Sequence, residues 1–344
     1  MRMRKHGRAA DAIERILLVC LFLLFISASV NAGPQDEYDK IIANCTRAIA
    51  KNPRDAEAYY NRGNAYDEKG LYDEAIADYT QAIAINPRYA EAYYNRGNAY
   101  DEKGLHDEAI ANFNKAIAIN PQYDGAYLNR GVAFYKKGLY DEAVADYTRA
   151  IAVNPRCDKA YNNRGVAYDE KELYDEAIAD YTQAIAINPR YAEAYYNRGN
   201  AYVEKGQYDE AIADYTQAVA IDPQFAIAYC NRGSSFAVKE LYDEAIADYI
   251  QAIAINPQLD KAYKNRGVAY AKKEQYDQAI DDFSQAIAIN PQYAWAYYAK
   301  AHTCETVGRT QDAADCYRQF LKFASPQDIE EIQHAKDYIA KSGR

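Results

Sequence analysis

The sequence has little of what catalysis or disulfide-driven folding needs. Its 344 residues include six Cys, four His, two Met and one Trp. The cysteines beyond Cys20 are Cys45, Cys157, Cys230, Cys304 and Cys316, and an odd, scattered set makes no disulfide framework. Cys304 and Cys316 would pair only with Cα atoms within about 7 Å; buried thiols are the plainer reading. No HExxH, phosphate-binding glycine loop, GxSxG or CxxC occurs, so the usual zinc-protease, nucleotide, serine-hydrolase and dithiol chemistries have no carrier. His302 with Cys304 and Cys316 is the one imaginable metal set, and its spacing is irregular; we assign neither metal nor cofactor. Basic charge is scarce as well. With 40 Lys and Arg against 50 Asp and Glu, nothing is left to displace phosphate counterions, which excludes nucleic acid as a partner.

Long apolar runs are missing except one, from Ile16 to Ile26. It follows the basic stretch MRMRKHGR and ends in SASVNA, with small Val30 and Ala32 placed as at a cleavage site. Residues 1–32 therefore read as a secretory signal peptide, and the mature chain as periplasmic or secreted. The alternative is an uncleaved anchor, the only route to a membrane. Against it, Ile16–Val30 falls short of the roughly 20 residues that span a bilayer.

What is present is repetition. AEAYYNRGNAYDEKG stands at 56–70 and again at 90–104, and the thirty residues 71–100 recur verbatim at 173–202. Proline closes each unit at Pro53, Pro87, Pro121, Pro155, Pro189, Pro223, Pro257 and Pro291, all 34 apart. Counting from Ala56 gives eight units: 56–89, 90–123, 124–157, 158–191, 192–225, 226–259, 260–293 and a degenerate 294–327. Within each, apolar spacing predicts two helices. In the first unit these are Ala56–Lys69, ended by Gly70 as a left-handed cap, and Tyr72–Ile85, stopped by Asn86-Pro87. Asn is expected at that stop because it tolerates cap geometry. Neither helix buries its stripe alone, so stacked pairs must form one continuous core.

Small and large residues alternate to pack that core. The eighth position is Gly in seven units, from Gly63 to Gly267, then Ala301; the twentieth is Ala in all eight. Tyr or Phe fills the fourth and twenty-fourth positions throughout. The spacing predicts close helix approach where Gly165 meets Ala177. Tyr38–Pro53 aligns with the second half of a unit, so 33–55 is a lone helix against the first repeat. Residues 328–344 carry Ile329, Ile332, Ala335 and Ile339 on one face and read as a capping helix.

The pattern aromatic-x-x-x-Gly-x-x-Tyr, Ala-x-x-x-Tyr/Phe and Pro at a period of 34 resembles the tetratricopeptide repeat over 56–327. It departs from that family at the seventh position, which is Arg from Arg62 to Arg266 where Leu is usual. The resemblance implies an all-α fold: an α-solenoid, a right-handed superhelix of antiparallel helix pairs. It also implies a concave groove lined by the second, fifth, sixth, ninth, twelfth and thirteenth positions of each first helix. The sixth is Asn seven times running, at Asn61, Asn95, Asn129, Asn163, Asn197, Asn231 and Asn265. An amide both donates and accepts, so such a ladder suits extended peptide backbone whatever the side chains. The fifth position gives Tyr60, Tyr94 and Tyr196, with Lys264 among the exceptions. The arginines are expected to lie over core tyrosines and meet Asp78-type carboxylates rather than touch ligand.

Charge is uneven, acidic from Glu57 to Glu102 and basic from Lys261 to Lys272. A clamp for chaperone tails is excluded, since Val268 replaces the Asn that should follow Lys264 and no sixth position is Arg. The expectation is a non-catalytic scaffold binding a protein or extended peptide. A glycan ligand and self-assembly are the open alternatives. The sequence does not fix the oligomeric state.

Overall fold

The structure, a computed structural model, describes residues 34–342; the expected signal segment lies outside the described residues. Those residues form eighteen α-helices and no strand, grouped in two compact units that meet in sequence at Asn154 and Pro155. The first contains α1 (Pro34–Lys51), α2 (Ala56–Glu68), α3 (Tyr72–Ile85), α4 (Ala90–Glu102), α5 (His106–Ile119), α6 (Asp124–Lys136) and α7 (Tyr140–Val153). The second contains α8 (Asp158–Asp169), α9 (Tyr174–Ile187), α10 (Ala192–Glu204), α11 (Tyr208–Ile221), α12 (Ala226–Val238), α13 (Tyr242–Ile255), α14 (Asp260–Lys272), α15 (Tyr276–Ile289), α16 (Ala294–Thr306), α17 (Thr310–Phe323) and α18 (Ile329–Ser342). Within each unit the first helix of a repeat packs on its own second helix, and that one packs on the next first helix. Each unit is thus an α-solenoid. No described helix is long and apolar enough to cross a membrane.

Two turns recur. After the first helix the chain enters the left-handed region, at Gly70 with φ 70°. The Gly70 N–H bonds Asp67 O and the Leu71 N–H bonds Tyr66 O, which satisfies the last carbonyls in a Schellman arrangement. Glu172, Glu240 and Glu274 occupy the same place at φ 58–61°, a conformation that strains a residue with a Cβ. The second turn differs from expectation. Asn86 is extended, at φ −123° and ψ 91°, not left-handed. A residue before proline is driven to the extended region. Asn serves there through its side chain, whose Oδ1 accepts from the Arg88 N–H at 3.1 Å.

The core is built from one large-on-small contact repeated down each unit. Tyr79, Phe113, Tyr147, Tyr181, Tyr215, Tyr249, Phe283 and Tyr317 are all buried. Each of the first seven rings lies close against the eighth-position glycine of its repeat: a Cβ on Gly63 would sit 2.7 Å from Cε1 of Tyr79. The ring, more than Ala75, is therefore what requires glycine there. A buried hydroxyl needs an acceptor. Tyr79 and Tyr215 donate to Asn64 and Asn200 at 2.9 and 2.7 Å. Where the ninth position is not Asn, Tyr181 and Tyr317 turn to the twelfth-position carboxylates of Asp169 and Glu305, at 2.5 and 2.7 Å.

The first and last described helices each pack on one neighbour. α1 packs on α2, and α18 on α17. α18 buries Ala335 against Tyr317 and Phe320 and leaves Gln333, Lys336 and Asp337 exposed. A polar outer face of this kind keeps the last repeat soluble.

Candidate functional site

The seventh-position arginines belong to the framework. Arg62 grips Asp78 with two parallel bonds, Nε to Oδ2 at 2.6 Å and Nη2 to Oδ1 at 2.7 Å. Its Nη1 reaches back to Thr46 at 3.0 Å, so one guanidinium ties a repeat to the one before. The same group lies 5.7 Å from the Tyr59 ring centroid, close enough for cation–π attraction. Arg130, Arg164, Arg198, Arg232 and Arg266 hold Asp146, Asp180, Asp214, Asp248 and Asp282 in the same way. Arg96 finds Asn112 instead, at 2.8 Å, and burial without a carboxylate pushes its pKa down.

The fifth-, sixth- and ninth-position residues form a second network on the other side of the first helices. Asn95 Nδ2 donates both hydrogens backwards, to Tyr60 Oη at 3.1 Å and Asn64 Oδ1 at 2.8 Å. Asn129 does the same to Tyr94 at 2.9 Å and Asn98 at 2.8 Å, and Asn231 to Tyr196 at 3.2 Å and Asn200 at 3.0 Å. Asn197 donates to Asn162 Oδ1, and Asn265 to Ser234 Oγ, both at 3.1 Å. Asn163 accepts from its neighbour Asn162 at 3.4 Å. Asn61 alone of the seven is exposed, because α1 is a second helix and offers no fifth- or ninth-position partner.

The ladder is therefore half engaged. The amide donors of Asn95, Asn129, Asn197, Asn231 and Asn265 join successive first helices, while no described residue donates to the Oδ1 atoms of these five. The sequence pattern gave both ends of the amide to a ligand; the structure leaves the acceptor. The signal that could have revealed this was the co-occurrence of Tyr60 and Asn64 one repeat ahead of Asn95. The tyrosines are engaged twice, since Tyr60 also packs on Tyr89 at 4.9 Å and Tyr94 on Tyr123 at 4.7 Å.

Clefts open between these helices. One of about 520 Å³ in the first unit is lined by Asp67, Glu68, Tyr72, Asp101, Glu102 and Lys136, with Asn98 and Asn129 behind. Oδ1 of Asp67 is buried there without a hydrogen-bond partner, and burial, with Glu68 and Glu102 beside it, pushes the carboxyl up to about 6. Asp101 is satisfied by His106 at 2.7 Å and Lys136 at 2.8 Å. The second unit has a cleft of about 350 Å³ around Asp169, Glu170 and Glu204. Oδ1 of Asp169 is likewise orphaned, and burial raises that carboxyl to about 6 despite the Tyr181 hydroxyl. Lys264 stands apart from the other fifth-position residues: it is half-buried beside Cys230, and burial lowers its pKa. No cluster of three or more His, Cys, Asp or Glu suited to a metal occurs among the described residues, and Cys304 and Cys316 are not joined to each other.

Comparison with known proteins agrees with this architecture. Family models described as TPR repeat match residues 63–104, 97–138, 170–206, 199–238 and 239–274, together more than half of the chain. Models described as tetratricopeptide repeat match 125–157, 260–293 and 44–77. No curated protein sequence matches the chain. Among solved structures, a tetratricopeptide repeat protein from Parabacteroides merdae is 19% identical with a TM-score of 0.55, over 74% of this chain and 99% of that one. The Cut9–Hcn1 hetero-tetramer of the APC/C is 17% identical with a TM-score of 0.56, over 90% of this chain and 60% of that one. YrrB, a TPR protein with an unusual peptide-binding site, is 27% identical with a TM-score of 0.48, over 55% of this chain and 97% of that one. With 34-residue helix pairs, ring-on-glycine packing and family matches across both units, the chain belongs to the tetratricopeptide-repeat family.

Proposed function

We propose that this protein–protein interaction scaffold holds an extended protein segment along the inner faces of its first helices. The observation that carries the reading is that each unit, taken by itself, presents open amide oxygens one repeat apart: Asn95 and Asn129 in the first, and Asn197, Asn231 and Asn265 in the second. Their orientation is set by the donors engaged behind them, so an incoming N–H meets an acceptor that needs no rearrangement. Repeats stacked roughly 8–10 Å apart would meet an extended chain about every third residue. The unsatisfied carboxylate of Asp67 and the acidic lining around it favour a basic stretch of the ligand over the first unit. The basic, apolar and small-residue pattern of 1–32 supports export, and the partner is sought accordingly in the envelope or secreted fraction.

Site-specific photocrosslinking tests this. A photoreactive phenylalanine in place of Glu91, exposed on the inner face, is compared with one in place of Gln81, exposed on the outer face. The expected result is a discrete protein adduct from position 91 and none from 81. Equal capture at both positions, or loss of the adduct on adding free oligosaccharide, rejects the reading.

A further inference from the structure

Resting on the peptide-binding reading above, we propose that the inner face of α12, α14 and α16 takes an acidic segment carrying large apolar side chains. The groove-facing positions of α12 and α14 hold three lysines, Lys261, Lys264 and Lys272, and no carboxylate. Among the described residues none of the three ammonium groups has a hydrogen-bond or ion-pair partner. The nearby carboxylates are already engaged. Asp260 accepts from the Lys261 backbone N–H through Oδ1 and from Asn290 Nδ2 through Oδ2, at 2.7 and 2.9 Å. Asp248 is held by Arg232 at 2.7 Å. Lys264 is half-buried next to the Cys230 thiol, which burial pushes up to about 11, so it supplies no anion at neutral pH. A cation removed from water without a counter-charge is costly, and an incoming carboxylate relieves that cost.

The apolar half of the surface adjoins the lysines. Val238 is 57% exposed, Trp295 43% and Val268 38%, all at groove positions. The register that joins them to Lys264 is visible in the first unit, where a Cβ on Gly125 would lie 3.4 Å from the Tyr94 hydroxyl. The second position of one first helix thus sits at the tip of the fifth-position side chain of the helix before. By the same register, position 295 is the one that follows Lys264 along this face. Trp295 is braced edge-on by Tyr298 at 5.8 Å and packs on Phe320 at 6.4 Å. An aromatic anchor already held in place loses little entropy on binding. The occupant is therefore a segment whose Asp or Glu meets Lys264 and Lys261 while a Leu- or Phe-sized neighbour covers Trp295.

Trp295 is the only tryptophan, so its emission reports on this site in the intact chain. The probe is an acetylated, amidated octapeptide alternating Glu with Leu. Controls carry Lys for every Glu or Ser for every Leu. The Glu–Leu peptide should shift the Trp295 emission and bind at least about tenfold more tightly than either control, with affinity falling as salt rises. Lys264→Met should weaken it about tenfold with helical circular dichroism unchanged, and Lys261→Gln should weaken it less. Equal binding of the Lys-substituted peptide, or unchanged affinity in Lys264→Met, overturns this proposal and leaves the groove reading standing. Equal binding of the Ser-substituted peptide overturns the apolar half. If no peptide of any charge binds, while position 91 still captures a protein, the site proposed here is wrong on its own account.

Discussion

Asn129→Ala removes two hydrogen bonds that join α6 to α4, at 2.9 and 2.8 Å, and nothing else on that scale. Each neutral bond contributes about 0.5–1.5 kcal/mol net, and water replaces part of it at a half-buried site, so the expected loss is about 1–2 kcal/mol. Asn61→Ala is the internal control. The residue holds the same place in its repeat but is exposed, and the change should stay within about 0.5 kcal/mol. Tyr94→Phe removes only the hydroxyl that Asn129 donates to, so the double-mutant cycle should show a coupling of about 0.5–1.5 kcal/mol. Urea unfolding followed by circular dichroism gives the totals. Amide exchange resolved by repeat shows whether the loss centres on α4 and α6, as nearest-neighbour stability requires. Equal costs at Asn61 and Asn129, or zero coupling with Tyr94, would refute the inter-repeat role of the amide.

Four further outcomes follow from the packing and charges. Ala177 is fully buried, so Ala177→Leu should destabilise by roughly 1–3 kcal/mol, with faster exchange concentrated in α8 to α11. Glu240→Gly should stabilise by about 1 kcal/mol in thermal unfolding, since φ 61° is relaxed for glycine and strained for glutamate. Asp67 has its folded pKa raised to about 6 from an ordinary 3.8, so the native state holds the extra proton between those values and stability from this group falls as pH rises through that window. Asp67→Asn should therefore raise the melting temperature at pH 7.5 and match wild type near pH 4; a constant difference across that range would show that the carboxyl is not perturbed. Deleting 326–344 uncovers Tyr317 and Phe320, and concentration-dependent association in sedimentation should follow.

Much of this was legible because the period supplies its own register. Gly63, Ala75 and Tyr79 recur in step, so a small-against-large core could be read without coordinates, as could Arg62 reaching Asp78 sixteen residues on. Which small residue faces which ring could not. The sequence pairs Gly165 with Ala177; what it leaves out is the ring of Tyr181, which is nearer still to the glycine, while the equivalent Gly233 and Gly267 also meet the carbonyls of Ala245 and Ala279 at 3.1 Å. The engagement of Asn95 with Tyr60 and Asn64 was hidden for a different reason. It depends on the translation between stacked repeats, and no spacing within one repeat encodes that. The three glutamates at positive φ escaped because a glycine in most copies implied a requirement that packing elsewhere overrides.

The reach of the seventh-position arginine also bears on how such a chain can change length. Arg62 binds Asp78 sixteen residues ahead and Thr46 sixteen residues behind; Arg198 does the same with Asp214 and Thr182, and Arg232 with Asp248 and Thr216. An inserted copy of a unit such as 192–225 arrives with the carboxylate of Asp214 for its own arginine and the hydroxyl of Thr216 for the next one. Every severed bond is thereby remade with a chemically identical partner at the new junction. An insertion of any other length leaves a guanidinium facing the wrong side chain. Growth and shortening in whole repeats thus meet the least resistance, and verbatim copies such as 71–100 and 173–202 can stand in one molecule without either being adapted to its neighbours.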